Sequence, residues 1–353
     1  MNKFSKNKNV IKVLVVDDSA FIRVLLTEIL DSDPDISVVA SASDPIDARS
    51  KIKKYNPDVI TLDIEMPKMD GLTFLRKIMR LRPMPVVMFS TLTQKGADIT
   101  FEALKIGAVD FVPKPAVDIK NNLDSLRSEL IEKVKCAAVS NIGIKDSTAH
   151  QSTSPIDLPE SSKKVDLIAI GASTGGTEAI LAVIRRMPTN CPPIVMAQHI
   201  PDVFSTSFAK RLNEEVALHA KEVRDSTVLE PGNAYLAPGH MHMVVKKRGG
   251  QLWVKMDDSP PVNRHKPSVD MLFKSISQID GVNCLAAILT GMGKDGAEGL
   301  LELKQKGAFT IAQDERTSVV WGMPGAAVGM GAVKAVLPLQ EIAPNLVKRL
   351  GGR

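Results

Sequence analysis

The chain has 353 residues, 44% hydrophobic and 24% charged, with a formal net charge of +5. That length suits two or three domains with cores of their own, and the composition is that of an ordinary globular protein. The excess charge is small and ungathered, which argues against a nucleic-acid surface, and no apolar run reaches the roughly 18 residues of a membrane span.

Residues 1–9 are polar and lysine-rich, and the apolar residues after them are interrupted by Asp17-Asp18, so no signal-peptide core is expected. Cys136, Cys191 and Cys284 are far apart, without metal-ligand spacing. They read as free thiols of a reducing cytoplasm, and a cytoplasmic location is expected.

From Val10 onward, short apolar runs alternate with amphipathic segments. Strands are predicted at 11–16, 36–40, 59–62, 86–89 and 111–112, and helices at 19–30, 45–54, 71–81, 94–106 and 121–135. Residues 10–135 are therefore expected to form a doubly wound, five-stranded parallel sheet of flavodoxin-like type. In such sheets ligands bind at the carboxyl ends of the strands. Asp17 and Asp18 follow the first strand, Asp63 the third, Ser90 the fourth and Lys114 the fifth. Three carboxylates at one edge repel one another and need a cation, and an all-oxygen set suits Mg2+. Helix capping accounts for Asp18 ahead of Ser19 but not for the convergence of the others.

At these positions the segment resembles a response-regulator receiver domain. The resemblance implies that Asp63 is phosphorylated by a histidine kinase. It implies that Asp17, Asp18 and Asp63 hold Mg2+ with the backbone carbonyl of Glu65. Ser90 and Lys114 would bind the phosphoryl oxygens, and Phe111 would be an aromatic switch residue. Lys114-Pro115 is read as a cis peptide that aims the ammonium inward.

Residues 136–164 are expected to be a linker. Helical patterning stops near Ala138, and Ser, Thr, Asn, Asp and Pro then dominate over large apolar residues. Such a segment reads as a flexible tether. His150 lies within it and is set aside as a catalytic group.

Residues 165–350 form a second domain. A buried strand at 166–170 leads into Gly171-Ala172-Ser173-Thr174-Gly175-Gly176, and a helix follows at 177–187. The serine thus sits at a strand-to-helix turn, where glycines permit tight dihedrals and open N–H groups favour an anion. The string fits the G-x-S-x-G elbow, and it suits a bound phosphate as well. Further strands are predicted at 193–198, 284–290 and 309–312, with helices at 203–213, 269–279 and 297–306. Residues 235–237, 243–246 and 252–256 alternate like antiparallel strands, with Lys246-Lys247-Arg248 and Gly249-Gly250 as a solvated hairpin end. The expectation is a mostly parallel α/β domain with an antiparallel hairpin.

Ser173, His199 and Asp295 each fall just after a predicted buried strand, so a parallel sheet would bring them to one edge. Their types are nucleophile, general base and base-orienting carboxylate. Of six histidines, only His199 ends a clear core strand; His242 and His265 read as surface or structural residues. The order Ser, His, Asp differs from that of α/β-hydrolases, and neither a dinucleotide fingerprint nor a P-loop is present.

This domain resembles the catalytic domain of the CheB family of chemotaxis protein-glutamate methylesterases. The segments that carry the resemblance are Ile170 to Thr177, Gln198-His199, Tyr235 to Gly239, Gly291 to Ala297 and Trp321-Gly322-Met323-Pro324. It implies that Ser173 attacks the γ-methyl ester of a methylated glutamate in a chemoreceptor, with His199 as base and Asp295 fixing its tautomer. Backbone N–H groups near Thr174 or Met292 are candidates for the oxyanion hole, and Thr174 serves equally well as a helix cap. Deamidation of receptor glutamine is implied too, and no cofactor is expected for the esterase. The implied partners are a chemotaxis histidine kinase and methyl-accepting chemoreceptors, with the chain itself a monomer. The unphosphorylated receiver is expected to dock over the Ser173 edge and impede it until Asp63 is phosphorylated. The alternative is a response regulator whose second domain only binds a partner or a nucleotide.

Overall fold

The computed structural model describes residues 10–67, 69–91, 93–114, 119–142, 154–156 and 165–351. The chain divides into two compact units, residues 1–143 and 144–353.

In the first unit, β1 (Ile11–Val16), β2 (Ile36–Ala42), β3 (Val59–Asp63), β4 (Val86–Ser90) and β5 (Asp110–Pro113) alternate with helices. These are α1 (Ala20–Asp31), α2 (Pro45–Tyr55), α3 (Gly71–Leu81), α4 (Gln94–Ile106) and α5 (Ile119–Ala138). The strands are parallel in the order β2-β1-β3-β4-β5, the doubly wound arrangement expected. Every residue of β3 and β4 is buried, as befits strands covered on both faces. Ser19, Asp44, Asp70 and Thr93 cap the four helices that follow them, each accepting a first-turn N–H. Helix α5 runs past the expected end at 135 because Cys136 and Ala137 are still core residues. Pro115, and with it the Lys114-Pro115 bond, lies outside the described residues, as does most of the expected linker. Within that linker the Ile156 N–H donates to the Arg186 carbonyl at 3.0 Å, so the tether is pinned at this point.

The second unit has ten strands among the described residues: β6 (Leu167–Ala172), β7 (Ile194–Gln198), β8 (His219–Glu222), β9 (Thr227–Val228), β10 (Asn233–Leu236), β11 (His242–Arg248), β12 (Gln251–Asp257), β13 (Cys284–Ile288), β14 (Phe309–Gln313) and β15 (Ala335–Leu337). Its helices are α6 (Gly176–Ile184), α7 (Asp202–Glu215), α8 (Val269–Ser277), α9 (Ala297–Gln305), α10 (Gly322–Gly329) and α11 (Leu339–Leu350). A seven-stranded sheet, β15-β14-β13-β6-β7-β10-β8, is parallel throughout. A small sheet, β11-β12-β9, is antiparallel, and Gly249 and Gly250 make its hairpin turn at positive φ.

One expectation fails here. Residues 235–237 do not extend the antiparallel hairpin; β10 pairs in parallel with β7 and β8. Tyr235, Leu236 and Ala237 are all fully buried, so this is an interior strand, whose short apolar run carries no sign of direction. Strand β8 escaped the sequence reading because it is a polar edge strand, His-Ala-Lys-Glu, in which only Ala220 is buried.

Strands β13, β6 and β7 are neighbours at the centre of the large sheet, so the loops that follow them leave from one edge. Tyr235 ties that sheet to the small one. Its hydroxyl accepts the Glu230 N–H at 3.0 Å and donates to the Val228 carbonyl, on β9, at 3.1 Å. Tyr235→Phe is expected to lower unfolding stability by about 1–2 kcal/mol, because both backbone groups lose their partner. Urea unfolding followed by circular dichroism measures this, and an unchanged midpoint would show that the hydroxyl is dispensable.

Candidate functional site

Ser173 stands in the turn between β6 and α6, and its main chain is held from two sides. The Ser173 N–H donates to the Thr290 carbonyl at 3.0 Å, beyond the end of β13. Its carbonyl accepts Gln198 Nε2 at 2.9 Å, and the same amide reaches the His199 carbonyl at 3.0 Å. Gln198 thereby laces the loop after β6 to the loop after β7, and His199 N–H to Ala172 carbonyl, at 3.2 Å, adds a second tie. Thr290 Oγ1 braces the far side through the carbonyls of Thr174 and Val320. Position 291 must be glycine: a Cβ there would stand 2.7 Å from Ser173 Cβ and 2.5 Å from Met323 Sδ. The Gly291-Met292-Gly293 run consequently passes directly against the serine. The N-cap of α6 is Gly175, with no side-chain cap, so Thr174 does not take the capping role.

His199 Nε2 meets Asp295 Oδ2 at 2.8 Å. An ionised carboxylate only accepts, so the proton resides on Nε2 and the lone pair on Nδ1. His199 Nδ1 is buried and makes no hydrogen bond, so the serine hydroxyl is not bonded to it. The structure joins imidazole and carboxylate; Ser173 stands on the adjacent strand end. Catalytic hydrogen bonds are often long in ligand-free enzymes and tighten with substrate.

Asp295 is 1% exposed. Its Oδ1 accepts Ser268 Oγ at 2.8 Å and Asn263 Nδ2 at 2.9 Å, while Oδ2 accepts the Val269 N–H at 2.7 Å. The Asp270 N–H adds a longer contact to Oδ1 at 3.3 Å. Ser268 is the N-cap of α8, so this helix start faces the carboxylate. Burial alone would push the carboxyl up; the bonds from His199, Asn263 and Ser268 overcome it and hold Asp295 well below the usual range.

Sequence reasoning missed Asn263 and Ser268, and it took His265 for a surface or structural residue. The structure stacks the His265 ring on His199, with centroids 3.7 Å apart and planes 13° from parallel. The available signal was a run of polar residues, Asn263 to Ser268, directly ahead of an amphipathic helix. His242 is fully buried and structural: Nδ1 accepts the Ser268 N–H at 3.0 Å, and Nε2 lies 3.1 Å from the Pro260 carbonyl.

In the first unit, oxygens of Asp17, Asp18 and Asp63 lie within 4.8 Å of one another. Lys114 Nζ is 2.8 Å from Asp63 Oδ1 and 3.2 Å from Asp17 Oδ2. Asp63 Oδ2 is buried with no hydrogen-bond partner. Burial pushes the Asp63 carboxyl up to about 6, with Asp17 adding to the rise and Lys114 opposing it. Asp17 is also raised, chiefly by burial. Three acidic side chains, two of them with a buried oxygen that no hydrogen bond satisfies, fit a small divalent cation that keeps some of its water. Ser90 ends β4, its Oγ held by Thr100 Oγ1 at 2.8 Å. The Glu65 N–H donates to Asp63 Oδ1 at 3.3 Å, which keeps that loop beside the cluster. Phe111 is buried on β5 with Lys133 Nζ 4.8 Å from its ring centroid.

Fold and sites together fit a class: a doubly wound unit with an acidic cluster at its strand ends, joined to an α/β unit with a buried His–Asp pair near a serine turn. Comparison with known families narrows this. The response regulator receiver domain matches residues 13–125, and CheB methylesterase matches residues 168–346. A relative from Xanthomonas campestris pv. campestris, named protein-glutamate methylesterase/protein-glutamine glutaminase 1, is 51% identical over 347 residues, covering 96% of each chain. A protein-glutamate methylesterase/protein-glutamine glutaminase from Nitrosomonas europaea is 50% identical over 349 residues, covering 97% of each. The crystal structure of the Thermotoga maritima CheB methylesterase catalytic domain matches with a TM-score of 0.51 at 36% identity, covering 53% of this chain and 99% of that one. The chain belongs to the CheB methylesterase family. No helix among the described residues is long and apolar enough to cross a membrane.

Ser268→Ala is expected to cost about 1–2 kcal/mol at neutral pH, since it removes both a helix cap and a donor to Asp295. Asp295 titrates below its ordinary value of 3.8 in the folded chain, so the stability it contributes is present above that value and fades as pH falls below it. The unfolded chain is common to both, so the gap between Ser268→Ala and the parent should persist through pH 3.8 and narrow only as pH falls towards the folded-state value well below it, leaving the part due to the cap. Titration of the Asp295 carboxyl followed by NMR in both folded chains tests the coupling: its midpoint should rise in Ser268→Ala, and an unchanged midpoint would uncouple Ser268 from the carboxylate.

Proposed function

We propose that Ser173, His199 and Asp295 hydrolyse glutamate γ-methyl esters on methyl-accepting chemoreceptors, under the control of phosphorylation at Asp63. The observation that carries this reading is the buried His199–Asp295 pair beside the Ser173 turn in a chain of the CheB methylesterase family. The names of the relatives support both the esterase reaction and deamidation of glutamine.

The steps follow from the tautomer. Ser173 Oγ gives its proton to His199 Nδ1 as it attacks the ester carbonyl. The resulting imidazolium is stabilised by Asp295, which retains its bond to Nε2–H. Backbone N–H groups at Thr174 or Met292 would receive the oxyanion, a contribution of about 3–4 kcal/mol per donor. His199 Nδ1–H then protonates the leaving oxygen and methanol departs. Water, deprotonated in turn by His199, cleaves the acyl-serine and restores the glutamate carboxylate. With a glutamine side chain the same sequence releases ammonia.

The first unit supplies control. A chemotaxis histidine kinase would donate a phosphoryl group to Asp63, with Ser90 and Lys114 binding its oxygens and Phe111 reporting the change. Asp17, Asp18, Asp63 and the Glu65 carbonyl would hold Mg2+, which when bound neutralises the crowded negative charge. Residues 10–135 serve as receiver, continued by α5 to Ala138, 165–350 as catalytic domain, and the linker region keeps the two at high effective concentration. An activation of 10- to 100-fold requires only about 1.4–2.7 kcal/mol of coupling. A non-catalytic output domain has no observation in its favour.

Ser173→Ala should reduce methanol release from methylated receptors by at least about 10³-fold. With acetyl phosphate and Mg2+ present, the parent chain should accelerate while Asp63→Asn should not. Near-parental turnover by Ser173→Ala would remove the nucleophile assignment, and an Asp63→Asn chain that still responds would remove the control.

A further inference from the structure

We infer that His265 is a positioning residue for the esterase reaction, its ring clamping the His199 imidazole so that Nδ1 stays turned towards Ser173. The inference rests on the triad reading above and adds a residue to it. The bond from Nε2 to Asp295 fixes one corner of the His199 ring, and a ring held at one corner can still rock out of plane. A second ring stacked at 3.7 Å and 13° removes that freedom and covers one imidazole face.

The loop carrying His265 is built to keep it there. Val262 and His265 exchange two backbone hydrogen bonds, at 3.1 and 2.9 Å, closing a tight turn. Inside that turn Asn263 and Arg264 both take positive φ, 52° and 70°. Asn accepts this region; Arg takes it at a cost, and such cost gathers where a backbone must aim a particular side chain. Asn263 Nδ2 then bridges Asp270 Oδ2 at 2.8 Å and Asp295 Oδ1 at 2.9 Å. The loop is thus anchored on the same carboxylate that orients His199. One buried charge fixes the edge of the base, and the loop tied to that charge delivers a ring to its face.

The test uses the full chain and methanol release from methylated receptors, with kcat and KM determined separately. His265→Ala should lower kcat roughly three- to tenfold, the worth of an aromatic pair, with KM changed by no more than about twofold. His265→Phe, which restores a flat ring without ring nitrogens, should recover kcat to within about twofold of the parent. Parental kcat in His265→Ala, or a His265→Phe no better than His265→Ala, would overturn the inference. Should His265→Ala melt below the assay temperature, His265→Leu takes its place: Phe active with Leu impaired supports the stack, and equal rates refute it. Ser173→Ala, run alongside, separates the two levels. If it is inactive while His265→Ala is unimpaired, only the positioning role falls; if it is active, the triad and the positioning role fall together.

Discussion

The catalytic unit depends on one buried charge. Asp295 is almost wholly removed from solvent, and an ionised carboxylate in that position without donors would be displaced to its neutral form or would cost several kcal/mol. The chain meets this by converging on it from three directions. Ser268 and Val269 come from the start of α8, Asn263 from the loop before it, and His199 from the end of β7. Satisfying the charge therefore brings otherwise separate segments into register. The imidazole is oriented as one consequence of that satisfaction, and the helix start that faces the carboxylate reinforces it.

Asp63 shows the opposite solution with the same side chain. It too is buried at the end of a parallel strand, yet one of its oxygens has no partner and its carboxyl is pushed up to about 6. The neighbours there are two more carboxylates, a single ammonium and one long contact from the Glu65 N–H, where Asp295 has an amide, a hydroxyl, backbone N–H groups and an imidazole. A saturated carboxylate stays charged and orients others. An under-satisfied one keeps a lone pair open. Donor count, not residue type, separates the saturated aspartate from the under-satisfied one.

The legible part of this chain was what strand order alone determines. Apolar runs alternating with amphipathic segments specify parallel sheets, and parallel sheets place every strand end at one edge, which is why Asp17, Asp63, Ser90 and Lys114, or Ser173, His199 and Asp295, could be grouped without coordinates. Direction and tertiary contact were not legible. The run 235–237 is apolar enough for an interior strand, but nothing in three residues tells parallel from antiparallel. Asn263, His265 and Ser268 lie in a loop of no periodicity, and their roles arise only when α8 packs its first turn against the loop after β13. His242 and His265 looked alike in sequence; one became a buried acceptor for a helix N–H and the other a ring stacked on His199.

The choice of ring nitrogen explains why Ser173 and His199 are laced so closely. In the familiar triad the distal nitrogen faces the serine and the proximal one the carboxylate. Here the distal Nε2 is held by Asp295, which leaves the proximal Nδ1, one bond from the carbon that carries the side chain. A serine that uses Nδ1 must approach the backbone of the histidine itself. That approach is what Gln198 secures, with one amide nitrogen bonded to the carbonyls of Ser173 and His199, and what the His199 N–H to Ala172 bond repeats. Adjacent strands β6 and β7 deliver the two loops at the spacing of a single sheet ladder, about 4.8 Å. The order of strands in the sheet and the tautomer of His199 are in this sense one constraint: a carboxylate on the far side of β6 takes the distal nitrogen, and the near one is left without a partner.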